Sequence, residues 1–363
     1  MKWTSKPFQV LSVSALAMML VVSGCGSKNN NNSENAGGAA GSNTPANTEN
    51  AGGSNADYSK LKIGMVTDGG GINDKSFNQS AWEGLQKLEK DTGIKVKALE
   101  SKGDADFEPN LNTLIKGGYD LTWGIGFMMN KAMTNVAKQN PDAKLASIDS
   151  VVDAPNVESV MFAENEGSFL VGVVAGLTTK TNKVGFVGGV EGDLIGKFEA
   201  GFTAGVKAVN PDATVKVSYV GDFTKPDLGK AAAATIYNDG ADIIYHAAGG
   251  SGNGVFTEAK ERVSKGQKVW VIGVDKDQSV DFGNDITLTS MVKRVDQAVE
   301  MVSKDLADGK FEGGSTRTLS LKDGGVGLPE NNPNVPEDVM AKVKEYEAKI
   351  TGGEITVPTA PSK

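Results

Sequence analysis

The sequence predicts an α/β protein built as two similar lobes facing each other across one cleft. Three observations predict it. From Leu61 onward, apolar runs ending in turn residues alternate with helical patterns. A helix start is written twice, as "DKSFNQSAWEGLQKL" (74–88) and "GKFEAGFTAGVKAV" (196–209), each with a Gly seven residues after a Phe. Phe77 and Phe198 stand 121 residues apart, as do Gly84 and Gly205, and other elements repeat at nearly the same offset.

Taken in order, "LKIGMVTD" (61–68) is an apolar run closed by polar turn residues, which predicts a buried strand. "SFNQSAWEGLQKLEKDTG" (76–93) predicts a helix. Ser76 and Gln79 make a capping box, Phe77, Ala81, Leu85 and Leu88 recur at helical spacing, and Gly93 is the stop. "IKVKALES" (94–101) alternates like a strand, and "FEPNLNTLIKGG" (107–118) is a helix with a Gly stop. Strands follow at 119–126 and 144–150, separated by a helix around 128–139. Such alternation argues for a parallel sheet covered on both faces.

The second half begins again. "KVGFVGG" (183–189) matches "KIGMVTD" (62–68) at an offset of 121, and "VKVSYVGD" (215–222) matches 94–101 at the same offset. "ADIIYHAAGG" (241–250) matches 119–128 at 122, and "KVWVIGVD" (268–275) pairs with "KLASID" (144–149), so that Asp275 and Asp149 both close their strands. The period is too long for a solenoid and has the length of a half-domain. Open parallel sheets bind ligands beyond the carboxyl ends of their strands. Phe77 and Phe198, each expected in the first turn of a helix, then face a shared cleft, and Asp149 and Asp275 do likewise.

Composition narrows the chemistry. The 363 residues are 39% hydrophobic, with a formal charge of −8 and a pI near 5.0. Phosphate backbones need a basic surface, so nucleic acid is not expected as a partner. One His and one Cys exclude an intrachain disulfide and most thiol, zinc and histidine chemistry. A hydrolase would need an activated nucleophile or water, and the lone His246, beside Ala247 and Gly249, reads as structural. "GGGIND" and "GGSGNG" lack dinucleotide and P-loop spacings, and no loop has calcium-ligand spacing. No cofactor, no metal and no enzymatic activity are expected.

The N-terminus reads as a targeting segment. Lys2 and Lys6 precede the apolar "FQVLSVSALAMMLVV", which ends in "VSGC" at Val22–Cys25. Residues 1–24 are expected to be a signal peptide. The pattern resembles the lipobox of bacterial lipoproteins, which implies a diacylglycerol on Cys25 and an extracytoplasmic protein lipid-anchored at the cell membrane. Residues 25–57 are rich in Asn, Gly, Ser and Ala and lack large apolar side chains. They cannot bury enough surface to order themselves, so they read as a tether. As a random coil, residues 26–57 span roughly 30 Å.

The motifs "TDGGGINDKSFNQSAWEGL" (67–85), "KFEAGFTAG" (197–205), "VIGVDKDQ" (271–278) and "TSMVKR" (289–294), following a lipobox, resemble the basic membrane protein family. Its members are substrate-binding lipoproteins of ABC importers, including purine nucleoside receptors. The resemblance covers about residues 60–330. It implies a periplasmic-binding-protein-like fold of type I with two Rossmann-like lobes, here 58–163 plus 285–312 and 164–284 plus 313–356. It implies a purine nucleoside in the cleft, and an ABC permease and ATPase as partners. By that resemblance Asp68 and Asn78 meet the base edge and Phe77 forms one wall. Phe198, favoured by the internal repeat, and Phe223, in "VGDFTKP" (220–226), both remain candidates for the other wall. Asp149 and Asp275 would accept from ribose hydroxyls, Lys293 would donate to the ribose, and Gly249 and Gly250 would allow close backbone approach. The physics agrees. Aromatic faces suit a flat base at about 1–3 kcal/mol per stacked base, and carboxylates suit a polyol because charge-assisted hydrogen bonds are stronger than neutral ones. A sugar or autoinducer-like solute on the same fold is the alternative ligand.

Overall fold

The computed structural model describes residues 58–362. The expected signal peptide, the expected lipidation site at Cys25 and the expected tether fall outside the described residues. The first half runs β1 (Lys62–Val66), α1 (Phe77–Thr92), β2 (Lys95–Leu99), α2 (Phe107–Lys116), β3 (Leu121–Ile125), α3 (Asn130–Gln139), β4 (Leu145–Ile148) and β5 (Val157–Phe162). The second runs α4 (Glu164–Thr178), β6 (Lys183–Gly188), α5 (Asp193–Val209), β7 (Thr214–Tyr219), α6 (Pro226–Asn238), β8 (Ile243–Ala247), α7 (Asn253–Ser264), β9 (Trp270–Asp275), the short α8 (Ser279–Phe282) and β10 (Thr287–Lys293). The chain ends with α9 (Val295–Ala307), β11 (Thr316–Leu319), β12 (Val326–Gly327) and α10 (Glu337–Thr351).

These strands form two six-stranded sheets, ordered β11-β5-β4-β3-β1-β2 and β12-β10-β9-β8-β6-β7. All pairings are parallel except β10 with β12. Counted from its own first strand, each half follows the order 2-1-3-4-5, so the repeat in the sequence is a repeat in topology. The inner strands β3, β8 and β10 are buried along their whole length, as a sheet covered on both faces requires. The edge strands β2 and β7 alternate and carry Lys95, Lys97 and Lys216, charges that discourage further edge pairing.

The repeated glycines have a packing cause. A Cβ on Gly84 of α1 would collide with the Asp296 backbone of α9, and one on Gly205 of α5 with the Phe169 backbone of α4. Both glycines let a helix close on the helix that follows a crossover between lobes.

Three sequence expectations are corrected. First, β10 pairs with β9 and so lies in the second sheet, while β11 pairs with β5 in the first. Residues 287–293 therefore belong to the second lobe and 316–319 to the first, the reverse of the assignment of 285–312 and 313–356. α9 packs on α1 in the first lobe. Strand periodicity cannot say which sheet a terminal strand joins. Second, Ser76 makes no side-chain cap on α1. Asp74 caps it instead: its Oδ1 accepts from the Ser76 and Gln79 amides at 2.9 and 3.0 Å, and its Oδ2 from the Asn78 amide at 2.9 Å. An ionisable acceptor at a helix N-terminus satisfies free amides and complements the helix dipole, so it outcompetes the hydroxyl. Third, α5 begins at Asp193, which puts Phe198 in the second helical turn rather than the first.

Candidate functional site

Between the sheets lies a cavity with an empty volume of about 560 Å³, part of it open to solvent. Its walls come from the carboxyl ends of strands in both lobes. All nine ligand-site candidates read from the sequence line it: Asp68, Phe77, Asn78, Asp149, Phe198, Phe223, Gly249, Asp275 and Lys293. Asp74, Phe127, Leu194 and Ile195 line it as well and were missed. Among the described residues, no group of three or more His, Cys, Asp and Glu side chains is placed to hold a metal.

One end of the cavity is a set of acceptors. Asp68 Oδ1 accepts from the Gly70 amide at 2.9 Å and from Asn78 Nδ2 at 2.7 Å. Asn78 Nδ2 also reaches Asp74 Oδ2 at 3.1 Å. Because the Asn78 amide nitrogen lies between two carboxylates, its orientation is settled, and Oδ1 is left buried without a protein donor. Burial pushes the Asp68 carboxyl up to about 6, against the lowering effect of its two donors.

Also lining the cavity, Asp149 and Asp275 follow β4 and close β9, and Lys293 closes β10. Lys293 is 1% exposed, yet charged. Its ammonium donates to Asp149 Oδ1 at 2.7 Å, Asp149 Oδ2 at 2.6 Å and Glu164 Oε1 at 3.0 Å. Burial alone would pull its pKa down, but Asp149, Glu164 and Asp275 together hold it above the ordinary lysine range. The ammonium also sits 4.9 Å from the Phe162 ring centre, 5.3 Å from Phe77 and 5.7 Å from Phe198, so aromatic faces surround its remaining sides. Burial raises Asp149 to about 6 and Asp275 to about 7, with Lys293 opposing both shifts. Ser76 Oγ donates to Asp275 Oδ2 across the cleft.

The aromatic residues separate into two roles. Phe198 is 3% exposed and belongs to the continuous core. Phe77, from the first lobe, and Phe223, from the second, are only partly buried and line the cavity. Phe127 meets Phe223 edge-on at 6.0 Å and 78°, a contact between the lobes at the cavity wall. Gly249 has a φ of 51°, a left-handed backbone that strains any residue with a side chain, and it lies against Phe223.

Further bonds hold the lobes together beside the cavity. Gln278 Nε2 donates to the Lys75 carbonyl at 2.8 Å, Asn253 Nδ2 to the Asp74 carbonyl at 3.2 Å, and Lys276 pairs with Glu83 at 2.8 Å. His246 is buried behind this contact, its Nε2 bonded to Gln278 Oε1 at 2.8 Å. Burial pulls it down to about 4, so it is neutral at pH 7 and serves as a structural donor. Glu164, Asp74 and Phe127 carried weak sequence signals. Glu164 heads an almost wholly apolar helix and reads as an ordinary N-terminal acid, and Asp74 was overshadowed by Ser76.

A family model described as ABC transporter substrate-binding protein PnrA-like matches residues 60–360. The chain is 48% identical over 340 residues to the CD4+ T-cell-stimulating antigen of Listeria monocytogenes, covering 89% of this chain and 94% of that one. It is 40% identical over 370 residues to the ABC transporter nucleoside-binding protein BmpA of Lactococcus lactis, covering 97% and 99%. A solved solute-binding protein of an ABC transporter system from Aeropyrum pernix superposes with a TM-score of 0.75 at 29% identity, covering 83% and 94%.

Proposed function

The chain belongs to the family of PnrA-like ABC transporter substrate-binding proteins, and from that premise we propose that it captures purine nucleosides between its lobes and delivers them to an ABC permease with its ATPase. The family is one of solute-binding proteins and not an enzyme class. Its Lactococcus relative carries a nucleoside-binding name. The observation that carries the reading is the pairing of two partly exposed rings, Phe77 and Phe223, with a cavity lined by several acceptors.

In this reading the base stacks between Phe77 and Phe223, and Phe198 backs the wall as core. Asp68 and the donorless Asn78 Oδ1 receive the N–H groups of the base edge. Asp149 and Asp275 accept from the ribose hydroxyls. Lys293, whose three N–H bonds already point at Asp149 and Glu164, acts chiefly as their counter-ion. A free sugar would engage the carboxylates but leave both rings unfilled. A phosphate would meet four carboxylates lining the cavity and one committed ammonium. In this reading the receptor works on the extracytoplasmic face, lipid-anchored through Cys25, with the lipobox-like "VSGC" as its support. Among the described residues no helix is long and apolar enough to cross a membrane.

Native mass spectrometry on purified protein, followed by calorimetry with inosine, guanosine, adenosine, hypoxanthine and ribose, tests this reading. A purine nucleoside carried through purification, and affinity for nucleosides exceeding that for ribose and for hypoxanthine, is the expected result. Tight ribose binding with no gain from the base would overturn it in favour of a sugar receptor.

A further inference from the structure

Glu164 does not line the cavity, yet it is fully buried and charged groups converge on it. It is the first residue of α4, immediately after the chain crosses from β5 into the second lobe. Its Oε1 accepts from Lys293 at 3.0 Å and its Oε2 from Lys197 at 3.1 Å. Lys293 is the last residue of β10, immediately before the chain crosses back to α9. The Glu164–Lys293 pair therefore ties two crossovers together. Asp149, from the first lobe, holds the other side of the same ammonium.

We propose that Glu164 is a positioning residue for ligand binding, acting through Lys293 to set the orientation and charge of Asp149. This rests on the nucleoside-receptor reading. An ammonium sealed between two carboxylates is shared by both. Lys197 on the far oxygen of Glu164 balances the remaining negative charge, and Asp149 and Lys293 are the members that line the cavity. Without the charge on Glu164, Asp149 alone would neutralise the lysine. Its lone pairs would be drawn to the ammonium and offer less to a ribose hydroxyl. The removal would also strand part of a buried charge network, which is costly because water cannot compensate. The other groups facing this network are Asp68 and Asp275 across the cavity, Lys197 on the far oxygen of Glu164, and the buried Tyr245 hydroxyl, held by Ser168. Repulsion from Glu164 contributes to the raised pKa of Asp149.

The test compares wild type, Glu164→Gln and Glu164→Asp in the full-length protein. Inosine affinity is measured by calorimetry from pH 5 to 8. The Asp149 carboxyl is titrated by carbon NMR in ligand-free protein, assigned with Asp149→Asn. Glu164→Gln keeps the shape but removes the charge. It is expected to weaken inosine binding about tenfold at pH 7.5, the scale of a bond to a charged group, and to lower the Asp149 titration midpoint. Glu164→Asp keeps the charge and is expected to restore the midpoint. An unchanged midpoint and unchanged affinity in Glu164→Gln would overturn the proposal and leave Glu164 a fold anchor. If wild type binds no nucleoside, the receptor reading fails, and the ligand-free titration still decides the link between Glu164 and Asp149. Should Glu164→Gln not fold, Glu164→Asp decides: its longer gap to Lys293 is expected to weaken inosine binding severalfold while the Asp149 midpoint stays that of wild type, and unaltered affinity overturns the proposal.

Discussion

Asp149 and Asp275 follow equivalent inner strands of the two sheets, and each holds a backbone φ of 66°. That left-handed conformation is uncommon for a residue with a side chain. Its appearance at both positions shows that the repeat extends to backbone geometry. The partners differ. Asp149 accepts twice from Lys293, whereas Asp275 accepts from the Ser76 hydroxyl of the opposite lobe. Burial raises both carboxyls, and Lys293 opposes the shift at both, with the Ser76 hydroxyl adding to that opposition at Asp275.

Asp275→Ala is expected to weaken nucleoside binding more than tenfold, with hypoxanthine, which lacks ribose, affected far less. The mutation also breaks the Ser76 contact, so Ser76→Ala serves as the control. Equal losses for nucleoside and free base in calorimetry would remove Asp275 from the ribose end.

The raised pKa of Asp275 has a consequence for stability. Its folded value of about 7 lies above its ordinary value of 3.8, so the folded state holds the proton more tightly. The stabilisation is complete below pH 3.8 and is lost as pH rises through 7. His246, lowered to about 4, acts the opposite way and destabilises the fold as pH falls from 6.5 toward 4. The difference between Asp275→Asn and wild type cancels the histidine. Asp275→Asn is expected to gain stability relative to wild type, on the order of a few kcal/mol, as pH rises from 3.8 to about 7. A difference flat with pH in urea unfolding would show that Asp275 is ionised throughout.

Phe77→Ala and Phe223→Ala are expected to cost about 1–3 kcal/mol of binding, some 5- to 150-fold, and little melting temperature. Phe198→Ala is expected to cost about 3–5 kcal/mol of stability. Calorimetry and thermal unfolding on the three variants separate the roles. Loss of stability before loss of ligand in Phe223→Ala would return the second wall to Phe198.

Gly205→Ala is expected to destabilise the fold by about 1–3 kcal/mol, because the added methyl overpacks the contact of α5 with the Phe169 backbone. Gly84→Ala should do the same against Asp296. Chemical unfolding of both variants checks this, and a neutral effect would mean the helix pairs have room to separate.

Cys25→Ser is expected to move the protein from the membrane fraction to the soluble fraction. Persistent acyl labelling of that variant would overturn the lipidation reading.

The sequence by itself determined the alternation of strands and helices, the repeated half-domain, and the carboxylates at the strand ends. These are periodic or positional properties, and the chain displays them directly. Parallel sheets put every strand terminus on one edge, so naming Asp149 and Asp275 needed only the strand boundaries, whereas Asp68 and Lys293 came with the family resemblance. Tertiary structure decided the rest. It placed β10 and β11 in opposite sheets, because edge pairing depends on where the crossovers let the chain go. It buried Phe198 more deeply than Phe223 although both line the cavity, because only packing decides how far a ring is covered. It replaced Ser76 by Asp74 as the helix cap and sent the Ser76 hydroxyl across the cleft. It brought Glu164 to Lys293 over 129 residues of chain, a pairing with no local signal, made because a buried ammonium must find enough negative charge to remain ionised.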